Sequence, residues 1–238
     1  TLFRSAIGTA ELGRLTAKDS SQLVYRLIKP SNFDPTKKYP VLVYVYGGPH
    51  AQMITNSWLY GANLWMYWMA EQGYLVFTLD NRGSGERGFA FESQIHRRLG
   101  TVEMEDQLTG VNFLKSLPYV DASRLAVHGW SFGGFMTSSL MLRNPGVFNV
   151  GVAGGPVTDW KYYEIMYGER YMDRPEQNPE GYQQASLLTH AGNLKGELLL
   201  IHGTSDDVVV MQHGLALVKK FVDLGIQMDF FPYQIGRA

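Results

Sequence analysis

The sequence predicts a doubly wound α/β fold, with a mostly parallel sheet flanked by helices. Three observations carry that expectation. Short apolar runs that read as buried strands recur at residues 41–46, 74–79, 125–127, 150–153, 197–201 and 228–231. Segments with helical spacing fall among them, at residues 65–72, 104–117, 135–144 and 211–224. Strands alternating with helices argue for βαβ units and a parallel sheet. Finally, Leu125-Ala-Val127 runs into Gly129-Trp-Ser131-Phe-Gly133 and then into helix-like sequence. That is a G-x-S-x-G turn joining a strand to a helix.

Taken in order, residues 1–22 are polar and irregular, and read as the tail of a preceding domain. Residues 23–29 alternate like a half-buried strand. A turn-rich connector leads to the apolar strand 41–46, which Gly47-Gly48-Pro49 ends. The helical segment 65–72 stops at Gly73, and the strand 74–79 follows at once. After the G-x-S-x-G turn come two more strands. The segment 211–224 then places Leu215, Val218, Phe221 and Val222 on one face and closes at Gly225. No internal repeat or low-complexity stretch interrupts the pattern.

Composition narrows the function. At 238 residues the chain is within the range of one large domain, and 45% hydrophobic residues supply a sizeable core. Charged residues make up 18% and the formal net charge is −1, so nothing draws the chain to nucleic acid or an anionic membrane. No apolar run is long enough to span a bilayer. Cysteine is absent, which removes thiol nucleophiles, disulfides and Cys-ligated zinc. The histidines show no metal-binding spacing, so no metal is expected. His50, His96, His128 and His190 read as structural or surface residues. The opening Thr1-Leu-Phe-Arg is neither a signal peptide nor a natural start, so a piece of a longer chain is expected.

The G-x-S-x-G turn is the nucleophile elbow pattern of α/β-hydrolases. A sharp, strained turn lifts Ser131 above the sheet, and Gly129 and Gly133 leave room for crowded backbone. The helix that follows aims its first N–H groups at a developing oxyanion. Ile201-His202-Gly-Thr-Ser-Asp206-Asp207 follows a strand, so its acids sit at a strand's C-terminal end. Asp206 lies after Ser131, the chain order these enzymes use, and its role is to support an imidazole. An Asx-turn, or a helix N-cap before Met211, is the plainer reading of the same residue. Tyr44-Val-Tyr46-Gly47-Gly48 ends an early strand, where a Tyr hydroxyl and the Phe132 N–H are candidate oxyanion donors. Trp160, Tyr162, Tyr163, Tyr167 and Tyr171 crowd one stretch. Their polar tips need partners in a core, so an aromatic pocket for a compact ring such as proline is the functional reading. Gly83-Ser-Gly85-Glu-Arg-Gly88 matches G-x-G-x-x-G, a weak dinucleotide signal without a clear helix after it. A loop at the rim of the site is the better reading.

Together, Val45-Tyr46-Gly-Gly-Pro49, Asp80-Asn-Arg-Gly-Ser-Gly85, Gly129-Trp-Ser-Phe-Gly-Gly134 and His202-Gly-Thr-Ser-Asp-Asp207 resemble the catalytic domain of the prolyl oligopeptidase family, dipeptidyl peptidase IV branch. The resemblance runs from about Leu23 to Phe231. The stretch 152–171 is most similar to the bacterial prolyl tripeptidyl aminopeptidases. The resemblance implies an α/β-hydrolase fold and no cofactor. It implies Ser131 as the acylated nucleophile, Asp206 as the triad acid, and Tyr46 with the Phe132 N–H around the oxyanion. Val157, Trp160, Tyr163, Tyr167 and Val209 would line a proline pocket with the Phe132 ring, and Glu164 would bind the peptide's amino terminus. Dipeptidyl members usually carry Asn where Val208 stands, which leans toward release of Xaa-Xaa-Pro tripeptides. The substrates implied are proline-containing peptides with a free N-terminus. A homodimer of the full-length protein and a periplasmic or envelope-associated place in a bacterium are implied as well.

Two departures from the family are expected to matter. Its N-terminal β-propeller is not in this sequence, and the triad histidine should follow residue 233, where the chain instead reads Gln234-Ile-Gly-Arg-Ala238. His213, the one histidine after Asp206, falls inside the predicted helix and reads as a helix-face residue. The chain alone is therefore expected to be inactive or nearly so. Competing readings are dipeptidyl release, an esterase or lipase on the same fold, a non-catalytic peptide-binding module and, more distantly, a dinucleotide-binding oxidoreductase.

Overall fold

The computed structural model describes residues 7–234 and 236. An eight-stranded sheet runs in the order β1-β2-β4-β3-β5-β6-β7-β8. Its strands are β1 (Thr9–Thr16), β2 (Gln22–Lys29), β3 (Tyr39–Tyr44), β4 (Leu75–Asp80), β5 (Val120–Trp130), β6 (Val150–Gly154), β7 (Glu197–Gly203) and β8 (Asp229–Tyr233). The first two strands are antiparallel to their neighbours, and β4, β3, β5, β6, β7 and β8 pair in parallel. The helices are α1 (Leu64–Glu71), α2 (Phe89–Glu92), α3 (Val102–Ser116), α4 (Phe132–Arg143), α5 (Ile165–Met172), α6 (Pro179–Ala185), α7 (Leu187–His190) and α8 (Gln212–Leu224). This is the α/β-hydrolase architecture read from the sequence.

One expectation fails at the start of the chain. Thr9–Thr16 is not irregular but an edge strand, paired with β2 from Thr9↔Lys29 to Thr16↔Gln22. Its outer edge and most of its side chains meet solvent, so it carries few apolar residues and looks like a loop in composition. Residues 1–6 lie outside the described residues.

Sheet geometry explains why the apolar runs are continuous. Successive side chains point to opposite faces. Leu27 joins the larger buried cluster and Ile28 the smaller one beneath α1, while Phe77 and Val76 divide in the same way. Residues 75–80 are buried throughout, because helices cover both faces. The larger cluster holds Phe135, Met136 and Leu140 of α4, Leu114 of α3, and Leu217 and Phe221 of α8.

Buried polar groups then fix the loops at the C-terminal edge of the sheet. Arg82, just after β4, donates through Nε to Asp106 Oδ2 at 2.9 Å and through Nη2 to Oδ1 at 2.7 Å. Asn81 Nδ2 donates to Gly47 O at 3.1 Å, and Gln107 Nε2 donates to Asn81 Oδ1 at 2.9 Å. The loop that follows β3 is thus tied to the loop after β4 and to α3. Such a network in a dry interior is rigid because each donor lost would leave a costly orphan.

Candidate active site

Ser131 stands between the last residue of β5 and the first of α4. Its backbone has φ 60° and ψ −117°, and its N–H donates to Gly154 O of β6 at 2.8 Å. For a residue with a side chain, such a conformation costs roughly 1–3 kcal/mol and persists only where the surroundings impose it. Here the imposition is visible. A Cβ on Gly129 would lie 2.2 Å from Val45 O and 2.5 Å from Gly133 O, and one on Gly133 would lie 2.3 Å from Val45 O. Three backbone segments cross where only glycine fits, and the serine is carried over the crossing.

Phe132 opens α4, so its N–H is among the first-turn donors that no intrahelical carbonyl can satisfy. Across from it stands Tyr46, half-buried, with its ring 6.2 Å from the Phe132 ring. Tyr46 precedes Gly47, which the Asn81 bond described above holds in place. Tyr44, the other tyrosine of that strand end, packs on Trp65 and His128 instead.

Tyr46, Ser131, Phe132, Val157, Trp160, Tyr163 and Tyr167 enclose a hollow of about 170 Å³. That is roughly six times a water molecule's share of liquid volume, room for one small ring. Trp160, 2% exposed, stacks on Tyr167 with centroids 5.8 Å apart and planes 9° from parallel. Tyr163 meets both rings edge-on, at 5.5 and 5.2 Å. Burial, reinforced by Tyr46, Tyr171, Tyr163 and Glu103, pushes the Tyr167 hydroxyl well above the usual phenol range, so it stays neutral.

Asp206 follows β7 and is itself buried. Its Oδ1 accepts the N–H groups of Val208 at 3.0 Å and Val209 at 2.9 Å. The Asx-turn foreseen as the plainer alternative is therefore real, and it also aims the carboxylate. The second oxygen, Oδ2, faces Gly155, the residue after β6, and a Cβ there would lie 3.7 Å from it. Serine and carboxylate thus sit at the C-terminal ends of β5 and β7, with β6 between them.

Three of the expected binding residues lie off the hollow's wall. Val209 is buried behind the acid, Val208 is half-buried beside it, and Glu164 is exposed at the N-cap of α5. The Gly83–Gly88 stretch packs on the neighbouring loop, where His50 N–H donates to Gly83 O at 3.1 Å, and only the four-residue α2 follows it. A larger hollow of about 560 Å³ adjoins the first across the Tyr167–Tyr171 contact, with Phe89, Ile95 and Tyr171 among its walls. Ser131 lines the smaller one.

The six imidazoles are engaged elsewhere. His50 faces Glu92 at 2.9 Å and His96 faces Asp173 at 3.4 Å. His128 and His190 meet the carbonyls of Val152 and Gln184, each at 2.9 Å. His202 Nε2 donates to Val209 O at 2.7 Å, and His213 Nδ1 accepts the Thr158 N–H at 3.1 Å. His213 is on a helix, as the sequence implies, but turned inward and fully buried. Its inward position and the Arg82–Asp106 pair left no mark in the sequence, because spacing along the chain says nothing about contacts between elements far apart in it.

Comparison with known proteins agrees with this geometry. Residues 61–234 match the prolyl oligopeptidase family model. A probable dipeptidyl peptidase 4 of Aspergillus clavatus is 38% identical over 93% of this chain and 29% of its own length. A probable dipeptidyl-aminopeptidase B of Trichophyton verrucosum is 42% identical over 86% of this chain and 23% of its own. A Bacteroides ovatus protein described as a dipeptidyl aminopeptidase IV superposes with TM-score 0.97 at 57% identity, covering 98% of this chain and 33% of that one. The dipeptidyl peptidase 4 of Porphyromonas gingivalis does so with TM-score 0.91 at 34% identity, covering 97% and 32%. The chain therefore spans about a quarter to a third of the relatives it matches. A serine on a strained strand-to-helix bend, a sheet order that brings a carboxylate two strands away, and a match over most of the sequence have one common account: the chain belongs to the prolyl oligopeptidase family.

Proposed function

We propose that this chain is the catalytic domain of a serine peptidase that cleaves after proline close to a free amino terminus. The observation that carries the proposal is the small aromatic hollow with Ser131 in its wall. A pyrrolidine ring fills such a space against the faces of Trp160 and Tyr167. A larger side chain would have to displace packed rings. With proline seated, the carbonyl that follows it comes to Ser131. The serine oxygen attacks the carbonyl carbon, and the oxygen that becomes negative is met by the Phe132 N–H and the Tyr46 hydroxyl. The amine half then leaves, and water hydrolyses the Ser131 ester.

The serine must give up a proton, and the six imidazoles of this chain hold partners elsewhere. This reading therefore takes the base from the longer protein, where an imidazole supported by Asp206 receives the serine proton and passes it to the leaving amine. The isolated chain is then nearly inert toward prolyl amides, and the longer protein cleaves them.

The released piece has two readings. Val208, in place of an amide side chain beside the acid, favours tripeptides, with Glu164 pairing with the ammonium group. The names of the relatives favour dipeptides. Hydrolysis of Xaa-Xaa-Pro and Xaa-Pro chromogenic amides by the longer protein separates them, and simple acyl esters test the esterase alternative. Efficient ester cleavage with no cleavage of either amide would overturn the peptidase reading. A periplasmic or envelope-associated site is proposed on family likeness alone, and fractionation of the host cell tests it.

A further inference from the structure

We infer that His213 is a positioning residue for the ring pocket, holding the Val157–Thr158 segment of its wall against the start of α8. The inference rests on the ring-pocket reading above. Thr158 is fully buried next to Val157, which lines the hollow. Both of its donors go to one residue: the N–H to His213 Nδ1 at 3.1 Å, and Oγ1 to His213 O at 2.9 Å. Its carbonyl accepts from Leu187 N at 2.9 Å, a second anchor, while its N–H is held by His213 Nδ1. Tyr163, another wall residue, meets the His213 ring edge-on at 6.2 Å, and Tyr162 does so at 5.7 Å. One buried imidazole thus supports two walls of the pocket without touching its interior.

His202 extends the brace to the acid. It is buried against Gly214, where an added Cβ would lie 2.9 Å from its Nδ1. Its Nε2 donates to Val209 O, and the Val209 N–H in turn donates to Asp206 Oδ1. Pocket wall and carboxylate loop are therefore fastened to neighbouring residues, 213 and 202.

The brace requires a neutral ring. Nδ1 accepts a backbone N–H, so His213 carries its proton on Nε2, and a second proton would set one N–H against another. The titratable groups around it are His202 of β7, Asp206 of the following loop, and Tyr162 and Tyr163. Burial and then His202 hold the imidazole down at about 4, against the Tyr162 backbone and Asp206, which raise it.

The test compares His213→Leu with His213→Asn in the protein that carries this chain. Asparagine places an oxygen acceptor where Nδ1 stands, and leucine places none. His213→Leu is expected to raise KM for a prolyl amide roughly tenfold, the cost of one buried unpaired N–H, with kcat changed less than about twofold. In the parent, KM should rise as the imidazole gains a second proton toward about pH 4; His213→Asn is expected to restore the parent KM at neutral pH and to lack that rise. If leucine prevents folding, His213→Gln, which also lacks the δ acceptor, takes its place with the same expectation. Equal KM in all variants, or equal loss in the Leu and Asn variants, overturns the inference while leaving the peptidase reading intact. A parent protein that neither binds nor cleaves any prolyl peptide overturns both.

Discussion

Glu103 is a buried acid whose removal should make the protein more stable, and increasingly so as pH rises. It sits in the first turn of α3 with no solvent exposure. Its Oε1 accepts the Gly100 N–H at 3.0 Å, and its Oε2 has no hydrogen-bond partner among the described residues. Burial pushes the carboxyl up to about 8, helped by Asp106 and opposed by the Gly100 N–H and Arg143. The unfolded chain releases the same proton near the ordinary value of 4.5. Between those two values the native state binds more protons than the unfolded one. Stability contributed by the protonated acid is then full below about pH 4.5 and is lost as pH rises to about 8. At about 1.4 kcal/mol per tenfold change in proton affinity, the loss is about 3 kcal/mol at pH 7 and about 5 kcal/mol at pH 9. Glu103→Gln keeps the Gly100 bond and has no proton to lose. Its advantage over the parent should be near zero at pH 4.5 and reach roughly 6–12 °C in Tm at pH 7. Thermal unfolding of both forms from pH 4.5 to 9 decides it. Parallel curves would show that Glu103 is ionised in the native state and that the reasoning about its surroundings is wrong.

Other perturbations probe the elbow and its partners. Gly129→Ala should destabilise the chain by at least about 3 kcal/mol in urea unfolding, because its Cβ meets backbone oxygens that cannot turn away. Ser131→Gly should abolish turnover by the longer protein while adding about 1 kcal/mol of stability, since only glycine adopts φ 60°, ψ −117° without strain. A loss of stability would show that the bend is not strained. Tyr46→Phe in the longer protein should lower kcat by roughly 10²–10³ with KM little changed, as expected for a donor used only in the transition state. A pure KM effect would place Tyr46 on the substrate instead.

The sequence by itself determined the fold class, the order of strands β2 to β8 and of helices α1, α3, α4 and α8, and the position of Ser131, while the short helices α2, α5, α6 and α7 were not foreseen. These follow from periodicities of two and 3.6 residues and from glycines at fixed offsets, all local properties. The edge strand Thr9–Thr16 was hidden because only one of its sides is paired, so its composition resembles that of a loop. Asp206 was legible for its place after a strand, yet the side its carboxylate faces depends on β6 lying between β5 and β7. Only the tertiary structure decided that His213 turns inward to Thr158, that Arg82 clasps Asp106, and that Val208, Val209 and Glu164 stand back from the hollow. Those outcomes depend on which distant elements the sheet order brings together, and burial in a shared dry interior, not spacing along the chain, makes His213 find Thr158 and Arg82 find Asp106.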